Sequence, residues 1–250
     1  METKDRKQII TILDRSPRTT LRMYELAHML KEDWVHFYIN KSAVLCVAWA
    51  VMLWAENEQD LTPLLKHIPT DKPQVELFCI ENRLIPFLEK HVAPVTISAD
   101  CYTWTLDRLL EKAPVLESLT VEDAPFVNDN WDYKFEESLE FITHCIESMP
   151  SSCIRNEKGQ PVTMAFCYAQ SPHHINMGGF KVLPEYRRQG WSRKVNLDIC
   201  NKVLAQNRKP LVHIRVENTI SQHICQTTGF ERQERVFWGQ LNLGKKANPS

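Results

Sequence analysis

The sequence predicts a mixed α/β protein, on the strength of two patterns and of its composition. Short runs of strand-forming residues alternate with segments whose apolar residues recur at helical spacing. In the second half of the chain the predicted order is β-α-α-β-β-β-α-β-α-β, with a β-α-β crossover at its centre. The 250 residues are 43% hydrophobic and 24% charged, which is ordinary for a globular protein. We therefore expect a mixed sheet with helices packed on it.

The length and a change of pattern near residue 113 predict two domains. Residues 1–113 form a divergent α/β domain in which no catalytic motif is found. Within it, the apolar run 43–55 fits either strand structure or a buried helix, because period alone does not separate the two. Residues 114–244 form the second domain. We detect no internal repeat in the sequence.

The elements of the second domain follow from hydrophobic period and turn residues. Residues 157–160 read as a hairpin turn, and Gly229 ends the last helix. The predicted strands cover residues 115–120, 152–154, 162–169, 175–182, 211–216 and 236–241, and the predicted helices cover 121–131, 135–148, 191–207 and 219–228.

A formal net charge of -1 excludes a strongly basic nucleic-acid binder, but the charge is unevenly distributed. Residues 111–147 hold ten acidic and two basic side chains, whereas residues 181–215 hold nine basic and two acidic ones. The basic segment suggests an anionic ligand, with a solvated surface as the alternative. The acidic segment is either a solvated helical face, a surface that faces the basic segment, or the entrance for an amine.

The eight cysteines form no C-x-x-C pair, so zinc spacing is absent and no metal is expected. Most lie in apolar runs, which predicts buried free thiols in a reduced compartment. The longest apolar run, 43–55, falls short of the roughly 20 residues that span a bilayer. Residues 1–7 lead into no signal-peptide core. We expect a soluble cytoplasmic protein with neither a membrane nor a nucleic acid as partner.

The segment Leu183-Pro184-Glu185-Tyr186-Arg187-Arg188-Gln189-Gly190-Trp191-Ser192 carries the clearest chemical signal. It joins a strand to a helix, and free amides at a helix start favour an anion. Gly190 permits a positive φ or a close backbone approach. With Arg187, Arg188, Arg193 and Lys194 nearby, the segment predicts a pyrophosphate site. The alternative is an arginine-rich helix entry that binds nothing.

Two motifs resemble those of the GCN5-related N-acetyltransferase (GNAT) superfamily. Residues 187–192 match R/Q-x-x-G-x-G/A, with Ser192 in place of the final Gly or Ala, and Asn218-x-x-Ser221-x-x-x-Cys225-x-x-x-Gly229-Phe230 is similar to N-x-x-A/S-x-x-x-Y-x-x-x-G-F. Residues 183–187 together with 141–150 resemble the glycine N-acyltransferase group and its FR47-like C-terminal domain. The resemblance covers about residues 115–241.

The resemblance implies a GNAT fold and transfer of an acyl group from acyl-coenzyme A to glycine or a related small amine. It implies that strands 175–182 and 211–216 splay apart and admit pantetheine. Gly178-Gly179 in the first of these strands suits a bulge or a close backbone approach, with a simple kink as the alternative. A mitochondrial location is the alternative to the cytoplasm. The residues expected to bind acyl-coenzyme A are Lys181, Val182, Leu183, Arg187, Arg188, Gln189, Gly190, Trp191, Ser192, Arg193 and Asn218.

The expected catalytic positions depart from the family pattern. The proposed base of the group is a Glu, and its position is Asn176 here, which cannot accept a proton. His174 or a water chain could replace it, and the alternative is that His173 and His174 belong to a hydrated loop next to Pro172. The general-acid Tyr position is Cys225, either a proton donor or a small buried residue. Acetyl transfer to a protein amine and a non-catalytic acyl-coenzyme A-binding pseudoenzyme remain alternatives.

Overall fold

The computed structural model describes residues 2–244, and these divide into two compact units. The first unit comprises the described residues of 1–103, 215–217 and 233–250, and the second comprises residues 104–214 and 218–232. The division into domains at residues 113 and 114 stays a prediction.

The first unit combines short helices with a sheet. In chain order its elements are β1 (Glu2–Thr3), α1 (Arg6–Leu13), α2 (Leu21–Leu26), β2 (His36–Asn40), β3 (Ala43–Val47), β4 (Val51–Ala55), a 3-10 helix (Glu58–His67), β5 (Gln74–Glu81), a 3-10 turn (Asn82–Leu84), α3 (Ile85–His91) and most of β6 (Val95–Thr105).

The second unit follows a helix-helix-strand order. In chain order its elements are a 3-10 turn (Val121–Asp123), α4 (Ala124–Asp129), α5 (Ser138–Ser148), β7 (Ser151–Arg155), β8 (Pro161–Gln170), β9 (His174–Val182), a 3-10 turn (Pro184–Tyr186), α6 (Trp191–Leu204), β10 (Lys209–Arg215) and α7 (Thr219–Thr228). The last strand, β11 (Glu231–Asn242), belongs mostly to the first unit.

In the first unit the strand order is β1-β2-β3-β4-β5-β11-β6. The apolar run 43–55 resolves into the antiparallel pair β3 and β4, so the strand alternative is confirmed. Both faces of this pair are buried. Val44 packs in one hydrophobic cluster with α1 and α2, while Leu45 packs in another with α3. Burial on two faces explains why the run shows no alternation of polar and apolar residues.

In the second unit the strand order is β10-β9-β8-β7. The pairs β7–β8 and β8–β9 are antiparallel, and β9–β10 is parallel, with α6 as the crossover. This confirms the predicted hairpin, in which Gly159 has φ +77°, and the predicted β-α-β unit. The mixed α/β fold class is also confirmed.

The two units share an order of elements, although the sequence shows no repeat. Each has two helices, three antiparallel strands, a helical crossover and a parallel strand followed by a helix. The crossovers differ in charge. In the first unit the helix after β4 begins with Glu58 and Asp60, whereas α6 begins beside arginines. Only the second crossover therefore suits an anion.

The predicted strand over residues 115–120 is wrong. The segment contributes one isolated bridge, Glu117–Cys153. Side chains take two of its backbone N–H groups, since Leu116 N donates to Asp198 Oδ1 (3.2 Å) and Leu119 N donates to Ser151 Oγ (3.0 Å). The spacing of apolar residues within the segment does not show that its N–H groups bind side chains far away in the sequence.

The eight cysteines are all buried and free, as the sequence predicts. Across residues 2–244, no group of three or more His, Cys, Asp or Glu side chains is placed to hold a metal ion. Within the same residues, no helix has the length and apolar character needed to cross a membrane.

Candidate active site

The candidate site lies where β9 and β10 separate. Their parallel pairing comprises three residue pairs, the last of which is Asn176–Leu211. Beyond it β9 continues to Val182 and β10 runs on past His213, with no further pairing between them among the described residues. Because β8 pairs with the other edge of β9, the edge facing β10 presents unpaired backbone groups. The predicted splay of these strands is confirmed.

A β-bulge bends β9 just after the splay begins. Phe166 pairs with Gly178 and Met164 pairs with Lys181, so Ala165 faces two residues of β9. One of them, Gly179, has φ +55°. A Cβ on Gly179 would lie 1.9 Å from Phe166 Cε1, so only glycine fits there without movement of the ring. The bulge expected at Gly178-Gly179 is therefore confirmed.

Aromatic rings from the segment between α4 and α5 extend to this bulge. The ring of Trp131 lies 6.0 Å from that of Phe166 and 6.0 Å from that of Phe141, measured between centroids. The adjacent Asp132 accepts a charge-assisted hydrogen bond from Lys181 Nζ of β9 at 2.8 Å. Part of the acidic segment 111–147 thus faces the basic segment, which is one of the alternatives the sequence left open.

The loop after β9 places α6 with its N-terminus open. Arg188 has φ +63° and Gly190, the residue before α6, has φ +71°. A Cβ on Gly190 would meet nothing within 4 Å, so the backbone angle rather than crowding favours glycine. The first amides of α6 have no acceptor within the helix and point out of its N-terminus. This arrangement can bind an anion through backbone N–H groups.

The basic side chains around the loop fall into two groups. Arg187, Arg188 and Lys194 are exposed, and in the described chain neither Arg188 nor Lys194 forms an ion pair. Arg193, in contrast, already hydrogen-bonds to other residues of the protein. Its Nε donates to Glu111 Oε1 at 2.7 Å, and its other nitrogens donate to the side chain and carbonyl of Thr227. Arg193 therefore ties α6 to the end of α7, a contact that the sequence did not predict.

The remaining expected site residues lie at the end of β9, in the loop after it, and in the first turn of α6. Val182 and Lys181 end β9, Leu183 is buried just after it, and Gln189 is exposed beside Gly190. Trp191 stacks on Tyr186 with 5.6 Å between ring centroids. Ser192 follows in the first turn of α6, half-buried.

Asn176 is buried at the last β9–β10 pair, with 4% of its surface exposed. Its Nδ2 lies 3.1 Å from His213 Nδ1, while its Oδ1 is buried without a hydrogen-bond partner. His174, expected either as a base or in a hydrated loop, is buried as the first residue of β9, so the loop alternative is wrong. His213 is not among the residues predicted from the sequence, where its signal is a single histidine between apolar residues of the strand, Val212 and Ile214.

Cys225 lies on α7, and Asn218 is the residue just before this helix. Burial raises the pKa of the Cys225 thiol to about 12, so this thiol stays protonated near neutral pH. Asn218 is exposed and caps the helix, because its Oδ1 accepts from Ser221 N at 3.1 Å. Its Nδ2 group is left to face solvent or a ligand.

Comparison with known proteins agrees with this geometry. Residues 156–239 match the family model described as FR47-like protein. The chain is 38% identical over 76 residues to a mouse glycine N-acyltransferase-like protein and 30% identical over 113 residues to bovine glycine N-acyltransferase. These alignments cover 30% and 45% of this chain and 24% and 37% of the relatives. The chain thus spans about a quarter to two fifths of the length of these curated relatives.

Solved structures share the fold over most of the chain. A Drosophila protein solved by X-ray crystallography has a TM-score of 0.72 at 16% identity, covering 96% of this chain and 98% of that one. A GNAT-family acetyltransferase from Colwellia psychrerythraea has a TM-score of 0.60 at 12% identity, covering 93% and 97%. The likeness to these structures shows that the chain shares their fold. By sequence, residues 156–239 are similar to FR47-like protein, and parts of the chain are similar to glycine N-acyltransferases and glycine N-acyltransferase-like proteins.

Proposed function

We propose that the protein is an acyl-coenzyme A-dependent N-acyltransferase that acylates the amine of a small acceptor, such as glycine or another amino acid. The observation that carries the proposal is the gap between β9 and β10, which opens at Asn176–Leu211 and leads to the free N-terminus of α6. The names of the glycine N-acyltransferase relatives support the same reaction class.

In this proposal pantetheine lies along the open edge of β9 and hydrogen-bonds to it as an added strand would. The diphosphate is held by the amides from Arg188 to Arg193, with the Arg188 and Lys194 side chains supplying positive charge. Asn218 offers its Nδ2 group to pantetheine. A backbone amide between Gly179 and Lys181 donates to the thioester oxygen, which becomes negative during attack.

Coenzyme A binding tests this placement through two variants. We expect Arg188→Glu and Gly190→Asp each to weaken binding at least tenfold by calorimetry, because each puts negative charge beside the diphosphate. Lys158→Glu and Gly159→Asp are matched controls in the β7–β8 hairpin. Gly159, like Gly190, has a positive φ and open space around it, so this control carries the same backbone strain. Unchanged binding in both test variants would show that the assigned site is wrong.

Turnover requires a separate experiment. Release of free coenzyme A thiol is followed for a panel of acyl donors with glycine, other amino acids, polyamines and a peptide amine. We expect release only with particular small amines. Selective release with the peptide would favour protein acetylation instead.

A non-catalytic acyl-coenzyme A-binding protein is the second candidate. Two observations favour it: Asn176 lacks an ionisable group, and burial holds the pKa of Cys225 at about 12. This pKa is well above the roughly 8.5 of an ordinary thiol, so Cys225 is a poor donor to a leaving thiolate. Tight binding without turnover for every donor and acceptor would favour this candidate.

A further inference from the structure

The proposed reaction needs a base that the family position does not supply. An amine attacks only in its neutral form, so an ammonium acceptor must first lose a proton. Asn176 occupies the position of the base and cannot take that proton. We propose that His213 of β10 is the general base and that Asn176 positions its ring. This inference rests on the proposed function.

The position of His213 in the strands supports the assignment. Asn176–Leu211 is the last paired position, and His213 follows two residues later on β10. Since side chains alternate along a strand, His213 projects from the same face as Leu211 and hence as Asn176. It lies beyond the point where pairing stops, at the opening of the gap in which the thioester is proposed to lie. Its side chain is half-buried, so a small acceptor can approach it.

His174 is less well placed for the same task. It begins β9, two residues before Asn176, within the part of the strand that pairs with β10. Two residues of strand are about 6–7 Å, so His174 lies that much farther from the gap. It is also 5% exposed, which leaves little access for an acceptor.

The contact with Asn176 can fix the tautomer of His213. An amide carries a donor and an acceptor, and its nitrogen and oxygen exchange places when the group rotates by half a turn. With Oδ1 toward the ring, Nδ1 keeps its proton and the lone pair lies on Nε2. Rotation lets Asn176 Oδ1, which is buried without a partner when Nδ2 faces the ring, accept from Nδ1, and it turns Nδ2 to the position that Oδ1 vacates. Asparagine orients a catalytic histidine in this way in papain-like enzymes.

The chemistry balances with one base. The ammonium acceptor gives one proton to His213 Nε2, and the imidazolium releases that proton to solvent. The neutral nitrogen forms a bond to the thioester carbonyl carbon, and the bond from that carbon to sulfur breaks. The nitrogen then loses a second proton, which the leaving thiolate takes up through His213. The products are the amide, coenzyme A thiol and one proton in solution.

The decisive variants are His213→Gln, the same change combined with Asn176→Glu, and His144→Gln as a control. His144 is an exposed histidine on α5. A positioned base contributes about 10²- to 10⁴-fold, so we expect His213→Gln to lower kcat by that factor without weakening acyl-coenzyme A binding. Asn176→Glu should restore part of kcat by returning a carboxylate to position 176. The loss should shrink for acceptors whose amine is already neutral at the assay pH.

The outcomes distinguish failure of the His213 assignment from failure of the proposed function. If the unmodified protein turns over and His213→Gln stays within threefold of it, His213 is not the base and the proposed function still stands. If His213→Gln also loses acyl-coenzyme A binding, turnover by His213→Ala is measured with added imidazole. If imidazole does not restore turnover, the proposal is overturned. If the unmodified protein binds acyl-coenzyme A but acylates no amine, the proposed function fails and this inference fails with it.

Discussion

Replacing Gly179 by alanine tests whether the bulge of β9 depends on glycine. The backbone there has φ +55°, and a Cβ would lie 1.9 Å from the Phe166 ring. The left-handed angle costs an L-residue about 1–2 kcal/mol, and forcing the ring aside adds about 1–3 kcal/mol. We therefore expect a loss of stability of about 2–5 kcal/mol, and weaker acyl-coenzyme A binding because the edge of β9 moves.

Gly159→Ala is the matched control, because it has φ +77° but nothing within 4 Å of the added Cβ. The two variants share the backbone cost and differ in the crowding. Gly179→Ala should lower Tm further than Gly159→Ala by about 2–12 °C, the crowding cost converted at about 2–4 °C per kcal/mol. Scanning calorimetry measures both, and Phe166→Ala should remove the excess. Equal shifts in the two variants, or an excess that survives Phe166→Ala, would refute the reasoning.

Three further outcomes are expected. Arg193→Gln should lower Tm by more than Arg188→Gln, because Arg193 binds Glu111 and Thr227. Arg193→Gln should also weaken acyl-coenzyme A binding less than Arg188→Gln does. The opposite ranking would contradict the assignment of the two arginines. Stability should fall as pH rises from about 9 to about 12, because the Cys225 thiol ionises at its usual pKa in the unfolded chain, while burial holds its pKa at about 12 in the folded protein. Urea unfolding measured across that pH range tests this, and Cys225→Ala should flatten part of the slope. Arg155 hydrogen-bonds to both carboxylate oxygens of Asp123 and lowers the pKa of that carboxyl. The contribution of this pair to folding stability should therefore be present above pH about 4 and be lost in acid. Tm should vary less with pH in Asp123→Asn, and an unchanged slope in acid would show that the pair does not cause it.

Much of the second unit could be predicted from local sequence. The helix 219–228 with Gly229 at its end, and the β-α-β unit around Gly190, depend on period and turn residues that act over a few positions. The strand expected over 115–120 failed because its N–H groups bind side chains distant in sequence, among them that of Asp198. The same limit applies to Arg193. An arginine near this loop suggests a ligand for an anion, but in the folded chain its guanidinium binds the Glu111 carboxylate instead.

The sequence by itself determined the mixed α/β class, the buried thiols and the place of the anion loop, because composition, period and the Gly190 turn are local properties. Tertiary structure decided where the parallel pairing stops, which residues face the gap and which charges are already paired. Those depend on strand register and on contacts between residues far apart in the chain. The contact between Asn176 and His213 is of this kind, since it joins side chains on two strands whose pairing ends beside it.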